Sequence, residues 1–217
     1  NNVAQPSEEP SFLASDGNTD FRYVAESQYI TMATGVSQWN DISGSGWNLT
    51  QATTTAQPAF SESTGVSFDG TSDFLRNNSV AVSAPWTVYI VANITYVQHS
   101  VFLYFNEVGS NRIYSMMPDE VNPTMELGSI AQNYVTNTWY VWTITMDGDN
   151  SSIQLNDGTP TVASYTNAAI DLLSFASYEG TNWGNLRIKE VIGRAGADTS
   201  PNKAAVITYL MNKYAIE

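Results

Sequence analysis

The sequence predicts an all-β fold, a two-sheet antiparallel sandwich closed by one short C-terminal α-helix. Three observations predict it. From Phe21 onward, short runs of β-branched and aromatic residues are separated by turn pairs such as Asp69-Gly70 and Asp157-Gly158. Several of the later runs, residues 152–156 and 186–192 among them, alternate apolar and polar residues with period two. Only the end of the chain changes to helical spacing, at Val206, Tyr209, Leu210 and Tyr214.

Residues 1–20 are polar, are punctuated by Pro6, Pro10 and Gly17, and show no periodicity. They read as an extended N-terminal arm that either hangs free or docks on a neighbouring subunit of a homo-oligomer. Residues 21–217 then form one domain. Residues 66–68 make a strand that ends in the Asp69-Gly70 turn. Residues 86–92, introduced by Pro85, and residues 101–105 make two more. Trp139–Met146 is the strongest strand in the chain, and it stops at Asp147-Gly148-Asp149-Asn150. Ser152-Ile153-Gln154-Leu155-Asn156 follows, so residues 139–158 predict a β-hairpin. Residues 186–192 alternate apolar and charged side chains over most of their length, as a sheet with one wet face requires. Ser200 suits the N-cap of the closing helix and Pro201 its first turn.

The totals narrow the function. A sandwich of 217 residues commonly forms a single domain with a substantial core. Only 13% of residues are charged, so Ser, Thr, Asn and Gln must supply the polar surface. That composition suits an extracellular, cell-surface or virion setting. Eight Lys and Arg face 21 Asp and Glu, a formal net charge of −13. This excludes the basic footprint of a nucleic-acid binder and offers none for a membrane surface. No stretch reaches the roughly 20 apolar residues of a membrane helix, so membrane insertion is not expected. The chain has no Cys, which removes disulfides, thiol catalysis and Cys-ligated zinc. It opens at Asn1 and not at Met, as a processed product or a piece of a longer chain would.

Three blocks carry a resemblance. The first is Val36-Ser37-Gln38-Trp39-Asn40-Asp41-Ile42-Ser43-Gly44, continuing through Gly46, Leu49, Thr50-Gln51 and Gln57-Pro58. The second is Val66-Ser67-Phe68-Asp69-Gly70-Thr71-Ser72-Asp73-Phe74-Leu75. The third is the 139–158 hairpin with Tyr209-Leu210 and Lys213-Tyr214 at the closing helix. Their order and spacing over residues 21–217 resemble the concanavalin A-like lectin/glucanase superfamily, in its laminin-G-like jelly-roll branch. The resemblance implies a jelly-roll sandwich, with Trp39 and Phe68 filling the gap between sheets and Asp41, Asp69 and Asp73 accepting hydrogen bonds from turn amides.

The catalytic patterns of that superfamily are missing. None of the ten Glu stands in a Glu-x-Asp-x-x-Glu strand, the spacing that turns two carboxylates into one cleft. Its alginate-lyase relatives use an Arg-rich strand and a Gln-Ile-His strand. Here the one His, His99, follows Val97-Gln98, and the Arg residues are scattered singly. The expectation is therefore a chain that is not an enzyme. It would be a non-catalytic binding or adhesion module, carbohydrate-binding, on a virion or cell surface, with a glycan or a surface protein as partner. Two alternatives stand beside it: a phage head-decoration or fibre protein that uses the jelly roll for assembly, and a glycan hydrolase or lyase with an unfamiliar site. Trp47 and Trp183 lie in Gly- and Asn-rich loops near Asn48, Asn182 and Asn185, where each ring either stacks on a sugar or caps the core. Asp69 with Asp73, and Asp147 with Asp149, are either turn caps or oxygen ligands for a cation, calcium by its chemistry.

Overall fold

The structure, a computed structural model, describes residues 8–96, 100–106, 111–116, 124–127, 130–177 and 182–217. A single helical turn, Phe12–Ser15 (α1), precedes the first strand. The strands then follow as Thr19–Val24 (β1), Ile30–Met32 (β2), Val36–Trp39 (β3), Leu49–Thr50 (β4), Ala59–Ser61 (β5), Gly65–Asp69 (β6), Leu75–Asn77 (β7) and Trp86–Tyr96 (β8). Ser100–Asn106 (β9), Asn111–Met116 (β10), Thr124–Leu127 (β11), Ile130–Asn133 (β12) and Trp139–Met146 (β13) come next. Ser151–Leu155 (β14), Thr161–Ala163 (β15), Leu173–Phe175 (β16) and Asn185–Ala195 (β17) complete the strands, and the helix Ser200–Tyr214 (α2) closes the chain.

These strands form two antiparallel sheets. One runs β15-β14-β13-β8-β17-β6-β5, the other β12-β11-β10-β9-β16-β7-β4-β3-β2. In the first sheet β17 pairs with β8 along its length, while its other edge is shared end to end. β6 covers Asn185 to Ile188 and β1 covers Glu190 to Arg194. The hairpin expected at residues 139–158 is β13 and β14, in register from Trp142↔Leu155 to Thr145↔Ser152, with a 3-10 turn over Gly148–Asn150.

The core lies between the sheets because alternate residues of each strand turn inward. Trp39, Trp86, Trp142, Phe105 and Phe175 are all fully buried there. Trp86 meets Phe105 edge-on at 5.2 Å, and Tyr134 meets Trp142 edge-on at 5.3 Å, the arrangement that ring quadrupoles favour. Where the first sheet is covered on its outer face, a second apolar layer forms. Val206, Ile207 and Leu210 of α2 press on Tyr89, Val91, Val141 and Ile192. The helix begins one residue earlier than its sequence suggests. Thr199, and not Ser200, holds extended backbone at the cap, and its hydroxyl accepts from the Asn202 amide.

Beneath that helix sits a buried charge cluster. Glu190 is fully buried. One carboxylate oxygen accepts from Arg22 Nε at 3.0 Å and Nη2 at 2.8 Å; the other accepts from Lys213 Nζ and the Tyr214 hydroxyl, both at 2.7 Å. Arg22 reaches on to Glu9 at 2.6 Å. Burial works against the charge of Lys213, but Glu190 outweighs it and raises the lysine above its ordinary value. A second cluster ties Arg194, almost fully buried, to Asp198 at 2.8 Å and Asp16 at 2.7 Å. Both clusters fasten the first strand and the segment before it to β17 and the C-terminal segment.

Two outcomes follow from this packing. Removing the charge in Glu190→Gln takes the shared anion from Arg22, which is mostly covered and keeps Glu9, and from Lys213, which is about a quarter exposed, so urea unfolding should show a loss of about 1–3 kcal/mol. The Phe21 ring occupies the space a side chain at Gly193 would need, with a ring carbon 2.1 Å from the position of its Cβ. Gly193→Ala should therefore displace Phe21 and cost about 1–3 kcal/mol in the same measurement.

Candidate functional site

The chain crosses from one sheet to the other between β6 and β7. Gly70 makes the turn with φ of +73°, and the Cβ of Asn185 lies 2.8 Å from where its own Cβ would be. Asp69 organises the turn. Its carboxylate accepts from the amides of Thr71 at 2.8 Å, Ser72 at 2.9 Å and Asp73 at 3.1 Å, and from the Thr71 hydroxyl. Partial burial opposes its charge, but these hydrogen bonds outweigh it and hold Asp69 down to about 2. Asp73 returns the contact by accepting from the Asp69 amide at 3.1 Å. Burial, and then the charge of Asp69, push Asp73 up to about 6.

The other predicted residues of this region gather around the same turn. Asn185 sits opposite Asp69 in the β6–β17 register and donates to its carbonyl at 3.3 Å, while the Thr95 hydroxyl donates to the Asn185 side chain. Asn182 is exposed with φ of +51°. Trp183 is half-buried, its ring 5.8 Å from that of Phe74. Asp147 and Asp149 stand elsewhere. Their turn follows Met146, which pairs with Trp86 at the start of β8, whereas Asn185 pairs with Tyr96 at its end. At roughly 3.4 Å per residue the two groups are tens of ångströms apart. Asp149 accepts from Ser164 at 2.6 Å, and the Asp147 amide donates to Ser151 at 3.0 Å. Among the described residues no three His, Cys, Asp or Glu side chains converge where a metal ion would be held. His99 lies outside the described residues.

The open face of the second sheet carries a cleft of about 590 Å³, within the usual range for small-molecule sites. Its lining includes Asn48, Thr50, Gln51, Phe74, Arg76, Asn77 and Asn78. Strand alternation builds it. Leu49 and Leu75 turn into the core, so Thr50 and Arg76, which face each other across β4 and β7, turn out. The same register continues sideways, from Thr31 to Gln38, Thr50, Arg76, Ser174 and Tyr104, a polar side chain on each of six adjacent strands, of which Ser174 and Tyr104 are covered and buried. Their inward neighbours Trp39, Leu49, Leu75, Phe175 and Leu103 are all fully buried.

Asn48 is held at one wall of the cleft. Its side chain accepts from the Asp41 amide at 2.9 Å, and its carbonyl accepts from Asn77 at 2.8 Å. Trp47 is half-buried against the main core, its amide bonded to Asp41 and its carbonyl to the Tyr23 hydroxyl at 2.6 Å. Asp41 thus fixes the loop that delivers both residues. Phe74 belongs to the cleft and also meets Trp183, so it joins the two neighbourhoods. Arg76 was not singled out by its motif, though the alternation Phe74-Leu75-Arg76 is the signal that points it outward. A smaller hollow of about 300 Å³ lies between α2 and the β14 region, lined by Gln154, Asp157 and Lys203, and burial lowers the lysine from its ordinary value.

Solved structures share this architecture. The chain is similar to a GH54 α-L-arabinofuranosidase variant soaked with 4-nitrophenyl α-L-arabinofuranoside, with a TM-score of 0.66 and 12% identity over 94% of this chain and 65% of that one. It is also similar to a Trypanosoma rangeli sialidase in complex with sialic acid, with a TM-score of 0.62 and 12% identity over 90% of this chain and 33% of that one. An arabinofuranosidase complexed with arabinofuranosyl-α-1,2-xylobiose matches with a TM-score of 0.59 and 12% identity, over 97% of this chain and 60% of that one. The likeness is one of fold. The chain spans about a third of the sialidase and less than two thirds of the arabinofuranosidases. No protein-family model matches the sequence, and no curated protein does.

These likenesses correct two expectations drawn from the sequence, the non-catalytic surface module and the chain that is not an enzyme. Both rested on the missing Glu-x-Asp-x-x-Glu strand. The β-sandwich found here is one that glycoside hydrolases carry at about one-eighth sequence identity, so the absence of that one motif does not separate this chain from them.

The carboxylates of the β6–β7 turn give a pH signature. Between the ordinary Asp value of 3.8 and about 6, the folded chain keeps Asp73 protonated while the unfolded chain ionises it. The folded state then binds more protons, so stability falls as pH rises through that window. Asp69 acts in the opposite sense between about 2 and 3.8, where stability rises with pH. Asp73→Asn should remove the share of Asp73, worth about 1–3 kcal/mol in equilibrium unfolding, from the fall between about pH 4 and 6, and leave the share of Asp20, which burial also raises. Parallel pH profiles for the two proteins would remove this assignment.

Proposed function

We propose that this chain is a glycan-hydrolysing domain whose substrate lies in the cleft over β4 and β7. The observation that carries the reading is the cleft itself, a concave hollow lined by amides and hydroxyls on the open face of a β-sandwich. Sugars present hydroxyls on their edges and C–H groups on their faces. Asn48, Gln51, Asn77 and Asn78 offer donors and acceptors for the first, and Phe74, extended by Trp183, offers a ring for the second. The glycosidases that share the fold support the same reading, with their own substrates remaining theirs. Within it, residues 21–217 form the domain, and the sandwich is a jelly roll of the concanavalin A-like, laminin-G-like kind. The Asp69 turn that links the sheets and the helix that closes the first of them support that kinship. A surface rich in amides and hydroxyls supports an extracellular setting.

Glycoside hydrolysis uses two carboxyl groups that flank the scissile bond. None is among the described residues that line the cleft. Asp69 is committed to its turn by four donors. The Asp and Glu residues of the chain other than Asp69 are the carboxylates to test. The chain should release reducing ends from at least one member of a polysaccharide panel. Substituting them one at a time, Glu to Gln and Asp to Asn, should lower that turnover about 100-fold or more in at least one folded variant. No cleavage of any polysaccharide, or full turnover in every variant, would overturn the reading.

A further inference from the structure

We infer that Arg76 makes the cleft selective for an acidic glycan, by receiving the carboxylate of a uronic acid unit; this rests on the glycan reading of the cleft given above. Three observations on one side chain carry it. Arg76 lines the cleft, at the centre of the polar row that crosses the second sheet. Its guanidinium lies over the Tyr104 ring, 5.9 Å from the centroid, which holds the planar group in place from one side. Its Nε is buried and has no hydrogen-bond partner among the described residues.

The last observation matters because of the chain's charge balance. Twenty-one Asp and Glu compete for eight Lys and Arg. Arg22, Arg194 and Lys213 all hold carboxylates at 2.6–2.8 Å. Arg76 pairs with none among the described residues, and neither do Arg187, Lys189 and Lys203; Arg76 differs from them in having a buried guanidinium nitrogen without an acceptor. A cationic group with a buried, unpaired nitrogen is under-compensated, and a ligand carboxylate on the part of the guanidinium that faces the cleft offsets that cost through its charge. The guanidinium offers parallel N–H groups in one plane, which match the two oxygens of a carboxylate better than a single hydroxyl. The amides beside it leave the neighbouring sugar hydroxyls something to bond. The overall negative charge does not oppose this at contact range, since salt screens distant charges beyond roughly 8–10 Å while a partly buried pair is screened much less.

The test titrates the full chain with trigalacturonate, with its carboxyl-reduced counterpart in which each acid is a primary alcohol, and with a sulfated galactotriose. Trigalacturonate should bind about tenfold or more tighter than the reduced sugar at about 50 mM salt, and the gap should narrow at about 500 mM. Arg76→Gln should erase the gap by weakening trigalacturonate about tenfold or more while changing the affinity for the reduced sugar far less. Arg76→Lys should restore part of it, because the charge returns without the planar fork. A melting scan confirms that both variants are folded. If both sugars bind equally, or Arg76→Gln keeps the preference, the role of Arg76 falls while the glycan cleft stands. If neither sugar nor any other glycan binds, the cleft reading falls and takes this inference with it. Tighter binding of the sulfated sugar than of trigalacturonate would overturn the carboxylate as the recognised group.

Discussion

One buried carboxylate, Glu190, ties three distant stretches of this chain to a single point. Arg22 comes from the first strand, Lys213 and Tyr214 from the end of the helix, and Glu190 itself from β17. An isolated charge in that position would be untenable. It persists because all of its partners arrive together, so the cluster forms only when the helix has docked and the first strand has paired. The position is structural as well as electrostatic. The pairing of β17 with β8 skips a residue between Ile188 and Glu190, where its other edge changes partner from β6 to β1. The bulge is where a carboxylate can turn under the helix without breaking the apolar layer on either side of it.

That clamp leaves the two sheets with different outer faces. The first is capped by α2, so Tyr89, Val91, Val141 and Ile192 are buried on the side away from the main core. The second keeps an open stretch over β4 and β7, and its outward residues there are hydroxyls, amides and Arg76. The cleft is therefore the consequence of which sheet the helix covers. The loops that frame it are fixed by side-chain carboxylates acting on backbone amides: Asp41 on those of Ser43 and Trp47, in the segment that leads to Asn48, and Asp69 for the turn leading into Phe74 and Arg76. Acidic residues in this protein are spent on geometry at these turns, which accounts for part of the negative charge without invoking a bound cation.

The candidate site was legible in pieces. Gly- and Asn-rich loops pointed to Asn48, Trp47 and the 182–185 segment, and the structure sets Asn48 in the cleft wall and Trp183 against Phe74. Asp69 and Asp73 were legible as a turn pair, and they cap that turn as the Asp-Gly signal suggests. Arg76 was not legible as a functional residue. Nothing in Leu75-Arg76-Asn77 distinguishes a guanidinium that finds a surface carboxylate from one left without a partner. That depends on which acidic side chains the fold brings near.

The sequence by itself determined the elements: short strands punctuated by Gly and Asp turns, the 139–158 hairpin, the terminal helix, and the inward Trp and Phe residues. Each is a local or periodic property, written in neighbouring residues. Only the tertiary structure decided the rest. Residues 186–192 alternate like a strand with one wet face, yet from Glu190 to Arg194 every residue is buried, because α2, the α1 turn and the first strand close over that half. The side chains of Glu190 and Arg194 look like surface charges in the sequence and are core residues in the fold. Burial of a charge depends on partners more than a hundred residues away, Arg22 for one and Asp16 for the other. Sequence periodicity carries no record of such partners, because it reports which face a residue takes and not what comes to cover that face.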